Sequence, residues 1–513
     1  MIPLPRRCPY RFSVCAPIIA VCLLAVSMPA AAAALATPGA STVAGLMAQI
    51  DARIGQPRFA AASWGIAVVS LDSGRALYTH RADQLLQPAS TAKLFTAALS
   101  LSALGTDYRI PTRLLADGRI VNGRLNGSLI LQGMGDPTLG TAGSGDWAEQ
   151  LASQAAARGV RFVRGDLIAD DSYFAGPSFG SGWEAGDLQS WFAVPSSALS
   201  VQENIVNVTV SPGRTPGRPA RLDFSPAEAR PDLVRQLVTS AAGTPNDINL
   251  YRAPGDDTLH AFGSIAADST AQHFKLAMVD PALVAGMQLR QALKHRGIHL
   301  AGKLRVVHWP QGGSASHASA GMLGEVLSPA LRDILQQGLK RSQNLYLQNL
   351  LLSVGARDQA IPTTGFSNTE SRGIMALRQL LAEIGIPASA SLIDEGTGLS
   401  RRNLVTPNAL VRLLVYLAAQ PYADVVREAL PVAGVDGTLI GHMRRTAAEN
   451  NVRAKSGSMA YVHCLAGYVT TAAGERLAFA IMLNNYDRPD DAPSIGSDVD
   501  EIAVLLANYR GRE

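Results

Sequence analysis

The chain has 513 residues, of which 47% are apolar and 17% charged. That composition supplies core for about three domains and excludes disordered, collagen-like, coiled-coil and disulfide-scaffold chains. The formal charge is +4, but Arg6, Arg7 and Arg11 supply three of those charges at one end. The rest is close to neutral, and no nucleic-acid partner is implied.

Those arginines precede the apolar run Ala16–Val26, and Ala34-Leu35-Ala36 follows as an A-x-A site. The pattern predicts a signal peptide over 1–36, cleaved near Ala36, and an exported, periplasmic protein. The alternative is an uncleaved N-terminal anchor. No second long apolar run follows, so membrane contact is expected to be peripheral at most. Cys8, Cys15 and Cys22 lie in the leader, which leaves Cys464 alone in the body without a disulfide partner. Its strand-like surroundings predict a buried structural thiol.

In chain order, 42–56 has the spacing of an amphipathic helix. Strands at 64–72 and 76–80 form a hairpin about Ser73-Gly74. Pro88 and Gly105 bracket a helix over 89–104. From 106 the texture becomes β-rich, with runs at 110–115, 128–132, 166–169 and 206–210. Gly133-Met134-Gly135-Asp136-Pro137 lies among them. It lacks the Gly-Lys-Ser/Thr ending of a phosphate loop and reads as a tight turn. Helical spacing returns from Gly321, over 326–354, 371–385 and 407–419. A strand-like stretch covers 454–470; the end is a β-hairpin of 465–470 and 477–483 about Ala473-Gly474, and a helix closes at 498–509.

Only six lysines occur, at 93, 275, 294, 303, 340 and 455. Lysine, unlike arginine, can lose its proton when desolvated, so each is a candidate for base chemistry. Lys93 stands three residues after Ser90 at a predicted helix start, where i and i+3 share a face. A neutral amine there can take the proton that keeps a serine hydroxyl a weak nucleophile. Ser342-Gln343-Asn344 is the single Ser-x-Asn, on a predicted turn; alone it also reads as a helix cap. Lys455-Ser456-Gly457 is the single Lys-Ser/Thr-Gly, opening a predicted strand. A cation beside a hydroxyl can hold a carboxylate there, and the glycine lets substrate approach. Alone, it also reads as an edge-strand lysine.

These three motifs, once each and in this order, resemble those of the penicillin-recognising serine enzymes. The 252-residue interval from Ser90 to Ser342 is similar to that of the D-alanyl-D-alanine carboxypeptidase/endopeptidase family of penicillin-binding protein 4 type, peptidase family S13. Stretches at 133–139, 165–174, 198–204, 395–400, 434–439 and 465–469 agree. Two segments depart from the family pattern: Glu395 and Thr397 stand in the usual DGSGLS segment, and Leu347-Gln348 stand where Ala-Glu often follows Ser-x-Asn.

The resemblance implies an α/β (α+β) fold with a transpeptidase-like catalytic domain at 37–105 plus 321–513. It implies an inserted β-rich domain at 106–205 plus 285–320 and a nested small domain at 206–284. It makes Ser90 the acylated nucleophile, Lys93 its base and Ser342 the proton relay. Asn344 orients the peptide, Lys455 and Ser456 hold the terminal carboxylate, and the N–H groups of Ser90 and Ser458 form the oxyanion hole. Asp170 would read the diamino acid of a peptidoglycan stem peptide. Peptidoglycan and β-lactams are the expected partners, with no metal or organic cofactor.

Other readings stand beside this one. The G-x-S-x-G at 176–180 is interrupted by Pro177 and reads as a loop rather than a nucleophile elbow. His295 and His299, spaced i and i+4, lack the glutamate of a zinc-peptidase helix and are interrupted by Gly297. A serine β-lactamase and a non-catalytic wall-binding protein are the remaining alternatives.

Overall fold

The computed structural model describes residues 39–142, 145–312, 317, 319–357, 367–487 and 495–512. The leader expected over 1–36, with its arginines and cysteines, lies outside them.

Both ends of the described chain build one antiparallel five-stranded sheet. Its order is Arg453–Met459, Val462–Thr470, Arg476–Asn484, Ser63–Ser70, Ala76–His80. Side chains alternate across a strand, and here the alternation also sorts them by size. Leu477, Phe479, Ile481 and Leu483 face one core, with Trp64, Ile66 and Val68, under the helices Val43–Ile54 and Ile495–Asn508. Ala478, Ala480 and Met482, with Ala67 and Ala466, face the other core. Small residues on that face let helices approach the sheet closely.

The helix Lys93–Leu104 lies in that second core, buried at every position from Lys93 to Leu101. A helix apolar all round belongs inside a protein. Around it pack Leu331–Lys340, Asn344–Arg357, Thr369–Glu383 and Pro407–Ala418. The last carries Pro407 in its first turn and is capped by Thr406 Oγ1, which accepts from Ala409 N at 3.1 Å.

The middle of the chain has its own core. A seven-stranded sheet carries Pro111–Val121 and Arg124–Gly133 at its centre, backed by Trp147–Ala157 and Pro281–His295. Two three-stranded sheets follow between Ile205 and Ala277. Among the described residues, no helix is long and apolar enough to cross a membrane.

Three expectations change. Gly321–Leu327 is a strand, not a helix, and pairs with Pro111–Val121; the inserted sheet therefore extends past the boundary expected at 320. The helical stretch 326–354 is two helices separated at Ser342, whose backbone is left-handed at φ 55°. The helix expected from residue 89 opens as a 3₁₀ turn, Ala89–Ala92, before Lys93.

Candidate active site

That 3₁₀ turn matters to the chemistry. Side chains at i and i+3 eclipse in a 3₁₀ turn, which brings Lys93 Nζ to 2.9 Å from Ser90 Oγ. Lys93 is fully buried, yet Nζ also donates to Asn344 Oδ1 at 2.5 Å and to the Thr397 carbonyl at 2.7 Å. Burial pushes its pKa down to about 7, against a smaller upward pull from the Glu395 carboxylate. A neutral amine has two N–H bonds and one lone pair. Asn344 and Thr397 take the two N–H bonds, and the lone pair is left for the Ser90 hydroxyl.

Each acceptor is held in turn. Asn344 opens its helix, and its Nδ2 donates to the Phe192 carbonyl at 2.7 Å. Thr397 belongs to the loop 395–400, folded around the buried carboxylate of Glu395. That carboxylate accepts from Thr397 N (2.8 Å), Thr397 Oγ1 (2.7 Å), Gly398 N (2.7 Å) and Asn403 Nδ2 (2.6 Å). Trp183 Nε1 adds a bond at 3.2 Å. Gln348 bridges the Gly396 N–H (2.8 Å) to Glu370 (2.6 Å). The departures at 395 and 348 therefore meet in one network beneath Lys93.

The third motif comes from the sheet edge. Lys455 is fully buried on Arg453–Met459 and donates to the Ser456 carbonyl at 2.7 Å. Burial, and then the charge of Lys93, push its pKa well down. Ser456 Oγ and Thr438 Oγ1 are 2.7 Å apart. Ser458 Oγ lies 3.0 Å from His463 Nδ1. The α-carbon of Gly457 faces the nucleophile: a β-carbon there would sit 3.1 Å from Ser90 N.

Ser90, Ser342, Asn344, Ser456 and Ser458 line one open cleft of about 1080 Å³. Lys93 and Lys455 are buried beside it. The structure thus gathers seven of the eight residues singled out from the sequence. Asp170 is the exception. It is 2% exposed in the inserted sheet, bonded to His317 Nε2 at 2.5 Å and to Ser172 N at 2.8 Å, and it does not line the cleft. Cys464 is buried and its thiol is pushed up, as a structural cysteine should be. Ser178 is exposed on a loop. His295 ends its helix beside Glu149, whereas His299 lies in a strand stacked on Phe162, so the two share no helix face.

Sequence reasoning missed the Thr397 carbonyl, Thr438 and Glu203, described below. It also missed Glu184, Asp187 and Arg401 at the cleft rim, where burial pushes Asp187 upward. A backbone carbonyl has no residue signature. The Thr438 signal was present in the 434–439 stretch but had no partner until the sheet brought Ser456 to it.

A serine hydroxyl bonded to a buried, weakly basic lysine on the wall of an open cleft defines a lysine-activated serine acyl-transfer enzyme. The model of the D-Ala-D-Ala carboxypeptidase 3 (S13) family matches residues 46–506, and the chain belongs to that family. It is 34% identical over 509 residues to a D-alanyl-D-alanine carboxypeptidase of an Actinomadura species, covering 97% of this chain and 91% of the relative. It is 28% identical to the D-alanyl-D-alanine carboxypeptidase DacB of Haemophilus influenzae, covering 83% and 86%. The crystal structure of penicillin binding protein 4 from H. influenzae superposes with a TM-score of 0.76 at 25% identity, covering 90% of this chain and 99% of that one. The same protein in complex with a β-lactam superposes at 0.71.

Proposed function

We propose that the protein is a serine-type D-Ala-D-Ala carboxypeptidase/endopeptidase. It cleaves peptidoglycan stem peptides and cross-links through an acyl-enzyme on Ser90, and penicillins acylate the same hydroxyl. The observation that carries this reading is the set of three contacts at Lys93 Nζ.

The Ser90 proton passes to Lys93 as Oγ bonds to the penultimate D-Ala carbonyl carbon. The N–H groups of Ser90 and Ser458 receive the oxyanion, an interaction worth about 3–4 kcal/mol per donor. The C–N bond breaks as Ser342 passes its hydroxyl proton to the leaving nitrogen and takes the proton from Lys93 in its place, so Lys93 is neutral again when D-alanine or the cross-bridge amine departs. Water then attacks the ester, giving its proton to Lys93, which hands it to Ser90 Oγ as the ester C–O bond breaks and so restores both groups. Lys455, Ser456 and Thr438 hold the terminal carboxylate. That arriving charge gives buried Lys455 a counter-ion and favours its protonated form. Asn344 orients the peptide from the opposite wall.

The test is a time course with fluorescent penicillin, with Ser90→Ala as control. Label that persists on Ser90 supports the peptidase. Brief label indicates a β-lactamase, and no label a wall-binding homologue. The leader over 1–36 and the wall substrate together support a periplasmic location, checked by N-terminal sequencing of the mature protein from fractionated cells.

A further inference from the structure

The backbone at Ser342 is left-handed, and one carboxylate from the inserted region grips the residues on both sides of it. Glu203 Oε1 and Oε2 accept from Arg341 Nη1 and Nη2 at 2.6 and 2.7 Å, a two-pronged pair with fixed direction. Glu203 also accepts from Gln343 Nε2 at 3.1 Å and from the Tyr346 hydroxyl at 2.9 Å. Burial works against the charge on Glu203, but Arg341, Tyr346 and Gln343 together outweigh it and hold the carboxyl below its ordinary value.

The clamp is itself braced. Gln202, Glu203 and Asn204 are three consecutive left-handed residues, at φ 50°, 59° and 55°. Residues other than glycine hold that conformation only where their surroundings enforce it. Asn204 enforces it here: Oδ1 accepts from Val201 N at 2.9 Å, and Nδ2 donates to the Pro195 carbonyl at 2.8 Å and to Ser200 Oγ at 3.0 Å. A strained backbone thus presents one carboxylate to the two neighbours of the relay serine.

We propose that Glu203 is a positioning residue that holds Ser342 where it can deliver a proton to the leaving amine. The inference rests on the reading of Ser342 as the relay, and leaving-group chemistry separates the two. An amide nitrogen must be protonated to leave, whereas a thiolate leaves without a proton. The experiment compares kcat/KM for a D-Ala-D-Ala peptide with that for a thiolester of the same acyl part and a carboxylate-bearing leaving group.

Glu203→Gln is expected to lower the amide value on the order of 10²-fold and to leave the thiolester value nearly unchanged. Arg341→Gln, at an exposed side chain that folding tolerates, should give the same selective loss and decides the matter if Glu203→Gln does not fold. Equal losses on both substrates, or no loss on either, overturn the positioning role. If Ser342→Ala is amide-selective and the Glu203 and Arg341 variants are not, the clamp is wrong and the relay stands. If Ser342→Ala shows no amide selectivity, the relay is wrong and the clamp falls with it.

Discussion

Gly398 lies so close to Ala89 that a β-carbon on it would fall 1.9 Å from the Ala89 carbonyl oxygen. Both residues have left-handed backbones, at φ 83° and 45°. Gly457 meets the same turn from the sheet edge, where a β-carbon would lie 2.6 Å from the Pro88 carbonyl. The turn that carries Ser90 is therefore gripped between two bare backbones. Gly398→Ala is expected to destabilise the fold by about 1–3 kcal/mol and to slow penicillin acylation by displacing Ser90. Thermal unfolding and labelling rate, measured together, check this; a variant that labels at the unaltered rate contradicts it.

Acylation should depend on pH through Lys93. Only the neutral amine accepts the Ser90 proton, so the rate should rise through about pH 7 to a plateau. Lys93→Arg keeps the charge and cannot lose it, and it should lower acylation on the order of 10²- to 10⁴-fold. Stability follows the same group. Its folded pKa of about 7 lies below the ordinary 10.5, so between these values the unfolded chain binds the proton and the folded chain does not. Stability should therefore rise with pH across that window, as denaturant titrations at pH 7 and pH 9.5 would register.

Glu395 is buried, and it both organises the 395–400 loop and pulls the Lys93 pKa upward. Glu395→Gln keeps the shape but turns an N–H₂ towards donors that now face a carboxylate. The cost should be at least about 2 kcal/mol. Removing the negative charge also makes Lys93 easier to deprotonate, so the acylation profile should shift to lower pH. A profile unmoved in a folded variant would show that the carboxylate acts through structure alone.

Thr438→Val removes the hydroxyl 2.7 Å from Ser456 Oγ. One such bond contributes about 1 kcal/mol. KM for a carboxylate-terminated peptide should rise about five-fold, with kcat little changed. A peptide amidated at its terminus should lose its sensitivity to the substitution.

The parts of this site that were legible in the sequence are those whose partners lie close along the chain. Ser90 and Lys93 are three residues apart, and one turn of any helix joins them. The helix over 407–419 announced itself by its apolar spacing, and it forms as Pro407–Ala418. What stayed hidden depends on distant pairing. The apolar spacing of Met322, Leu323, Val326 and Leu327 suits a helix, and only pairing with Pro111–Val121 makes it a strand. The left-handed run at 202–204 has no glycine to announce it. Asp170 came from the family resemblance, and its carboxylate is instead occupied by His317 and the Ser172 N–H.

The two carbonyl oxygens that hold Lys93 come from Asn344 and Thr397, which lie 251 and 304 residues further along the chain. During synthesis, a nascent polypeptide that has completed its first motif therefore carries an ordinary, solvated, fully charged lysine beside an inert hydroxyl. No truncated product ending before Thr397 can attack an amide or trap a drug. Reactivity is expected only once Lys93, Asn344 and Thr397 have all been made and have folded together.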